Sequence, residues 1–116
     1  MKPQRIVLSR RAGFDLQAIS QALNGLPAQS VARPGRWGNP FTIADVMAEL
    51  GVDKAAAQAE AVARYGRWIR GELVTEDTPP PVKEIRAALA GKNLACWCRA
   101  GTPCHVDALL ALANAK

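Results

Sequence analysis

All three cysteines of this chain and its only histidine lie within one twelve-residue stretch, LACWCRAGTPCH (Leu94–His105). Thiolates and imidazole rings bind soft metal ions, act as nucleophiles and transfer protons near neutral pH. Because three cysteines cannot pair completely into disulfides, we expect reduced thiols, a metal site or a reactive cysteine here. The stretch is therefore the first candidate for chemistry.

One use of this stretch is a metal site. On an extended strand, Cys96 and Cys98 point to the same face, and together with Cys104 they can supply three thiolates to Zn²⁺. His105, water or a substrate would take the fourth position, and three protein ligands with one open position are typical of catalytic zinc. Since neighbouring helical residues diverge by about 100°, Cys104 and His105 are poorly oriented to share one ion. An iron–sulfur cluster is a weaker alternative, because the cysteine spacing matches no ferredoxin pattern.

The other use is covalent or acid–base chemistry without a metal. Cys98 or Cys104 would act as the nucleophile and His105 as the proton carrier, while Asp107 orients the imidazole or accepts a ligand hydroxyl. If Thr102 caps the last helix, Cys104 is its second residue, where the helix dipole favours a thiolate. The structural alternative is that the cysteines are small buried hydrophobic residues and the histidine belongs to the capping region.

A second candidate is the loop RPGRWGNPF, Arg33–Phe41. Its glycines permit backbone conformations that present N–H groups to an anion, and its arginines can bind phosphate oxygens. Its tryptophan can stack on a base, and its asparagine can read a base edge. The alternative is a structural turn in which Trp37 and Phe41 fill the core. The ligand-binding candidates are Arg33, Arg36, Trp37, Gly38 and Asn39, joined by Arg10 and Arg11 from an earlier loop.

Charge and composition narrow the class of protein. Lysine and arginine number 15 against 10 acidic residues, which favours an anionic partner such as a nucleotide, another phosphorylated molecule or nucleic acid, although a basic surface also serves solubility. The hydrophobic share of 49% and the length of 116 residues predict a single globular domain over residues 1–116. No membrane-spanning run and no signal peptide are evident, so we expect a cytoplasmic location and no membrane partner.

Short apolar runs predict three strands, and amphipathic segments with capping residues predict helices between them. The predicted strands are Arg5–Ser9, Gln29–Arg33 and Asn93–Trp97. The predicted helices run from about Phe14 to Leu23, from a Thr42 cap to Leu50, from an Asp53 cap through Ile69, from Val82 to Ala90, and from a Thr102 cap onward.

Alternating strands and helices predict a small three-layer, Rossmann-like α/β domain with a mainly parallel sheet. In such sheets ligands bind at the carboxyl ends of the strands. Each predicted strand is followed by a loop that carries arginine, so we expect these loops to meet at one edge. The loops are Arg10–Gly13, Arg33–Phe41 and Cys98–His105.

The chain also resembles a small bacterial and phage family described as domain of unknown function 4326. The resemblance implies no particular reaction, but the phage setting suggests nucleotide or nucleic-acid metabolism and a relation to Rossmann-like nucleotide-binding domains. One departure is Val106, which stands where the family pattern leads us to expect glycine. The segments that carry the resemblance are Leu8–Phe14 (LSRRAGF), Arg33–Phe41 (RPGRWGNPF), Gly91–Cys98 (GKNLACWC) and Cys104–Asp107 (CHVD).

Together these patterns predict a domain that binds a nucleotide-like or phosphorylated ligand at the carboxyl edge of the sheet. Chemistry based on cysteine and histidine favours an enzyme in nucleotide or nucleic-acid metabolism. The alternative is a non-catalytic, zinc-stabilised module that binds nucleic acid. A third hypothesis is an interaction protein that uses the arginines spaced along the long helix, Arg64, Arg67 and Arg70.

Overall fold

The computed structural model describes residues 2–32 and 35–115 of the chain. Within them, no helix is long and apolar enough to cross a membrane. The described residues form three strands and five helices. In chain order these are β1 (Arg5–Val7), α1 (Leu16–Asn24), β2 (Ala28–Ser30), α2 (Ile43–Leu50), α3 (Lys54–Ile69), α4 (Val82–Leu89), β3 (Asn93–Cys96) and α5 (Val106–Ala113).

The three strands form one parallel sheet in the order β1-β3-β2, which confirms the prediction of a parallel sheet. In the central strand, Ala95 lies opposite Ile6 of β1 and opposite Ser30 of β2. Each strand is shorter than predicted, and Arg33, the last residue of the second predicted strand, lies outside the described residues. Because the strands are parallel, their carboxyl ends all reach the same edge.

Side chains of β3 alternate between two apolar layers. Ala95 packs with Ile6 and Ala28 on one face, where Leu16 of α1 lies against them. Leu94 and Cys96 point to the other face, into the largest core cluster. Helices therefore lie on both faces of the sheet, and the strands are buried between them. The helical residues of the larger cluster are Tyr65, Trp68 and Ile69 of α3, Ile85 and Leu89 of α4, and Val106, Leu109 and Ala113 of α5.

Capping residues begin α2 and α3 where the sequence predicts, while α1 begins at Leu16, two residues after the predicted start. The side chains of Thr42 and Asp53 accept hydrogen bonds from backbone N–H groups in the first turns of α2 and α3, and Asp15 does the same for α1. Gly25 and Gly51 adopt left-handed conformations after α1 and α2, as their positions indicate.

The predicted start of the last helix is wrong. The Thr102 hydroxyl donates to the Arg99 carbonyl at 2.6 Å, and the Thr102 backbone N–H donates to the same oxygen at 3.1 Å. Thr102 therefore closes a turn and does not cap α5, which begins at Val106. As a result, Cys104 and His105 precede the helix and are not its second and third residues.

A buried amide network joins α1 to the central strand. The Asn93 side chain is fully buried and exchanges two hydrogen bonds with the Asn24 amide, at 2.8 and 2.9 Å. It also donates to the Ser20 hydroxyl at 2.7 Å and accepts from the Gln4 backbone N–H at 2.8 Å. The network fixes α1 on its face of the sheet through polar contacts, where apolar contacts are few.

We expect Asn93→Ala to lower the free energy of unfolding by about 2–3 kcal/mol, because it removes four hydrogen bonds from a buried position and takes the side-chain acceptor away from the Gln4 backbone N–H. Urea unfolding followed by circular dichroism measures the change. Asn114→Ala is the matched control, since this asparagine is exposed and its side chain hydrogen-bonds only to the backbone, accepting from the Gly91 N–H and donating to the Leu110 carbonyl. An equal, small effect of both substitutions would contradict a structural role for the network.

Candidate functional site

The three cysteines come together at the carboxyl end of β3. Cys96 is the last residue of that strand, Cys98 follows in the loop, and Cys104 lies just before α5. Their Sγ atoms all lie within 4.8 Å of one another, and those of Cys96 and Cys104 are 2.8 Å apart. Thiolates around one tetrahedral zinc ion stand about 3.8 Å apart for Zn–S bonds of about 2.3 Å. The three cysteines can therefore hold a metal ion.

The loop that carries the cysteines is held from two neighbouring elements. The Arg5 guanidinium of β1 donates to the carbonyl oxygens of Thr102 and Arg99, at 2.7 and 2.9 Å. The Gln58 amide of α3 donates to the Pro103 carbonyl at 2.8 Å. Sequence reasoning missed Arg5 and Gln58, since nothing in the sequence pairs them with loop residues that lie 45 to 97 positions away. These contacts fix the loop before any ligand binds.

The imidazole of His105 is oriented by a backbone carbonyl. Its Nε2 lies 2.7 Å from the Val31 oxygen, and because a carbonyl only accepts, Nε2 carries a proton. In the neutral ring Nδ1 is then unprotonated and faces the Cys104 Sγ at 3.7 Å. The predicted sulfur–imidazole pair is thus present, with Nδ1 placed to accept a proton from Cys104.

Asp107, predicted to orient His105 or bind a ligand hydroxyl, lies at the surface. Its carboxylate is 3.5 Å from the Arg5 guanidinium, and its side chain is 62% exposed. The observed orienting contact of the imidazole comes from Val31.

The cysteines differ in their affinity for protons. Hydrogen bonds from the thiols of Cys104 and Cys96 lower the pKa of Cys98, and the nearby charges of His105 and Arg5 lower it further. The pKa of Cys104 is raised by its contacts with the Cys96 and Cys98 sulfurs and by its burial. Cys98 is therefore the cysteine of the cluster that ionises most readily, and it is also the one cysteine that is only partly buried.

In metal-free protein, we expect iodoacetamide to alkylate Cys98 first and its rate to decline at a lower pH than that of an ordinary thiol. A thiol of ordinary pKa loses reactivity about tenfold per pH unit below that pKa, whereas the lowered pKa of Cys98 moves this loss to lower pH. Peptide mass spectrometry locates the label, and Cys98→Ser is the control that should lack the fast phase. Faster labelling of Cys96 or Cys104 would contradict the assignment.

A cleft of about 340 Å³ opens beside the cysteines at the carboxyl edge of the sheet. All three predicted loops contribute to its lining, so the expectation that they meet there is confirmed. The Arg10 guanidinium lies 4.7 Å from the centre of the Trp97 ring, which is half exposed. Other lining residues are Asn39 and Phe41 from the glycine-rich loop, and Cys96, Cys98 and His105.

Within the glycine-rich loop, Asn39 lines the cleft, but both ends of its side-chain amide hydrogen-bond to the protein backbone. Its Nδ2 donates to the Ala61 carbonyl at 3.2 Å, and its Oδ1 accepts the Phe41 N–H at 2.8 Å. The side chain is nearly buried, at 8% exposure. Asn39 therefore anchors the loop to α3, and its amide is not directed at a base edge.

Arg36 and Trp37, two further candidates from this loop, lie outside the cleft. Arg36 forms an ion pair with Glu84 of α4 and lies 5.3 Å from the Trp37 ring centre. Trp37 packs against the main core and accepts the Tyr65 hydroxyl hydrogen on its carbonyl at 2.9 Å. Arg33 lies outside the described residues. Among the residues the structure describes, Arg11, Arg36, Trp37 and Gly38 do not line the cleft.

The arginines of the long helix make ion pairs at the surface. Arg64 pairs with Glu49 and Glu60, and Arg67 also pairs with Glu60. Arg70 pairs with Glu72. Each of the three arginines therefore has an acidic partner within the chain.

A family model described as "Domain of unknown function (DUF4326)" matches residues 20–115. The match includes the glycine-rich loop and all three cysteines, while Arg5, Arg10 and Arg11 precede it. No curated protein and no solved structure matches the chain. On the extent of the family match, the chain belongs to the DUF4326 family of unknown function.

Proposed function

We propose that the cleft binds a nucleotide-like or otherwise phosphorylated ligand and that Cys96, Cys98 and Cys104 hold a zinc ion in its wall. The observation that carries this proposal is the position of the three thiols, which lie within 4.8 Å of one another, while Cys96 and Cys98 line the same cleft as Arg10. A metal-binding cluster beside a cationic cleft suits an anionic ligand.

Ligand binding at this edge follows from the parallel sheet. We interpret the fold as Rossmann-like, and ligands of such sheets bind beyond the carboxyl ends of the strands. Arg10 is the cation that borders the cleft, and Trp97 presents a half-exposed ring on which a base can stack. The net charge of +5 adds general attraction for phosphate.

Zinc is the favoured ion because thiolates are soft ligands and the three sulfurs fit around one ion. A cluster of several irons would spread the thiolates farther apart, since each binds a different iron. Three thiolates leave one position open, which is the pattern of catalytic zinc and favours an enzyme. Without metal, the Cys98 thiolate and the imidazole of His105 would supply a nucleophile and a proton carrier.

Native mass spectrometry of protein produced with added zinc tests the metal, and we expect one zinc ion per chain. Calorimetric titration with adenosine 5′-monophosphate tests the ligand, and Arg10→Gln should weaken binding about tenfold through loss of a charge-assisted contact. Arg86→Gln, an exposed substitution on α4, is the matched control. Absence of binding by adenosine, guanosine, cytidine and uridine monophosphates would contradict the ligand proposal.

A second candidate function is a zinc-stabilised module that binds nucleic acid, and the closeness of Cys104 to the core favours it. Cys96 and Cys104 both belong to the main core cluster, so an ion bound to them would also stabilise that core. This candidate predicts loss of the fold on chelation and salt-dependent binding to DNA or RNA. The enzyme proposal predicts that the fold survives chelation. As reduced thiols are needed in both cases, we place the protein in the cytoplasm.

A further inference from the structure

A second cleft, of about 550 Å³, adjoins the first. The two share four lining residues, so they form one continuous groove with Cys98 in its middle. Each cleft falls in the size range that encloses a small organic ligand. The shared residues are Ile43, Gln58, Trp97 and Cys98.

The cations of this groove lie in its two outer parts. Arg10 lines only the first cleft, whereas Lys54 and Arg99 line only the second. Among the described residues, no aspartate or glutamate lines either cleft. The nearest acidic side chain in sequence to Lys54 is Asp53, whose carboxylate accepts the Ala56 N–H at 2.8 Å. The groove thus has a cationic part on each side of an aromatic and apolar centre.

Trp97 and Ile43 form the centre of the groove. The indole is 48% exposed, a large fraction for a tryptophan that packs beside a sheet edge. A planar base can stack there, while phosphates on either side of the base reach Arg10 at one end and Lys54 or Arg99 at the other. A ligand with a single phosphate can satisfy only one of these two ends.

We infer that the groove binds a 5′-phosphorylated dinucleotide, with one phosphate in each cleft and the nucleoside between the two phosphates stacked on Trp97. This inference rests on the proposed function and names its substrate class. Two cationic parts on either side of one aromatic centre match the two phosphates of a dinucleotide, and this favours a dinucleotide over a longer strand.

Calorimetric titration of the full chain with two probes, adenosine 5′-monophosphate (AMP) and the 5′-phosphorylated dinucleotide pApA, tests the inference. We expect pApA to bind at least about tenfold more tightly than AMP, the gain from one further charge-assisted contact. The double substitution Lys54→Gln with Arg99→Gln should remove that gain, so that the variant binds pApA no more tightly than AMP. Both side chains are exposed, so the fold should not change. Lys83→Gln, an exposed substitution on α4, is the matched control and should alter neither affinity.

The outcomes separate this inference from the function on which it rests. If AMP and pApA bind equally, or if the double substitution leaves pApA binding unchanged, the dinucleotide inference fails while phosphorylated-ligand binding stands. If neither probe binds, both fail. If an eight-residue oligoadenylate binds far more tightly than pApA, the groove serves a nucleic-acid strand, which also overturns the inference.

Discussion

Cys98→Ser is expected to weaken zinc binding by more than about 100-fold while leaving the fold intact. Loss of a residue that only hydrogen-bonds to a metal ligand already lowers metal affinity about 10–100-fold. Loss of a thiolate that itself binds the metal lowers it further. Cys98 is suited to this test because it lies in the loop after β3 and is only partly buried, whereas Cys96 and Cys104 are buried in the core. Competition with a chromophoric chelator measures the affinity.

Two comparisons make this result specific. Asp107→Asn, which alters an exposed carboxylate close to the same loop, should leave zinc affinity nearly unchanged. Circular dichroism and thermal unfolding should show the same fold for Cys98→Ser as for the unaltered protein. A variant that unfolds would support the zinc-stabilised module, and a variant that keeps full zinc affinity would remove Cys98 from the ligand set.

Leu94→Ala should lower the free energy of unfolding by about 2–5 kcal/mol, the range for removing a leucine from a well-packed core. Leu94 is fully buried in the central strand and belongs to the largest apolar cluster. Since small domains are stable by only about 5–15 kcal/mol, this loss is a large share of the total. Urea unfolding measures it, and the dependence of stability on urea concentration should not change.

Leu50→Ala is the matched control for the core substitution. Leu50 is the last residue of α2 and is 48% exposed, so its truncation should change stability by no more than about 0.5 kcal/mol. Equal losses in the two variants would show that Leu94 does not pack at the centre of the core.

Most of the local structure could be predicted because its causes are local. Thr42 and Asp53 cap helices through hydrogen bonds to residues three positions ahead, and Gly51 ends α2 because it tolerates a left-handed backbone. The last helix was the exception, since Thr102 and Pro103 carry a helix-start signal that the turn with Arg99 overrides.

The candidate site could be predicted in part. The grouping of the cysteines follows from their closeness in the chain, although Cys98 lies in the loop just after β3 and not on one extended strand with Cys96. The partners of other candidates could not be predicted, because they lie far away in sequence. Arg36 was predicted to bind phosphate, but it pairs with Glu84. Asn39 was predicted to read a base edge, but it binds the α3 backbone.

The sequence by itself determined the caps of α2 and α3 and the cluster of thiols at a strand end, because these depend on neighbours close in the chain, and its alternation of strands and helices indicated the parallel sheet. Only the tertiary structure decided which arginine borders the cleft, how the imidazole is oriented and which residue anchors the cysteine loop. Those outcomes depend on contacts such as Arg5 with Thr102 and His105 with Val31, which form only when distant segments pack together.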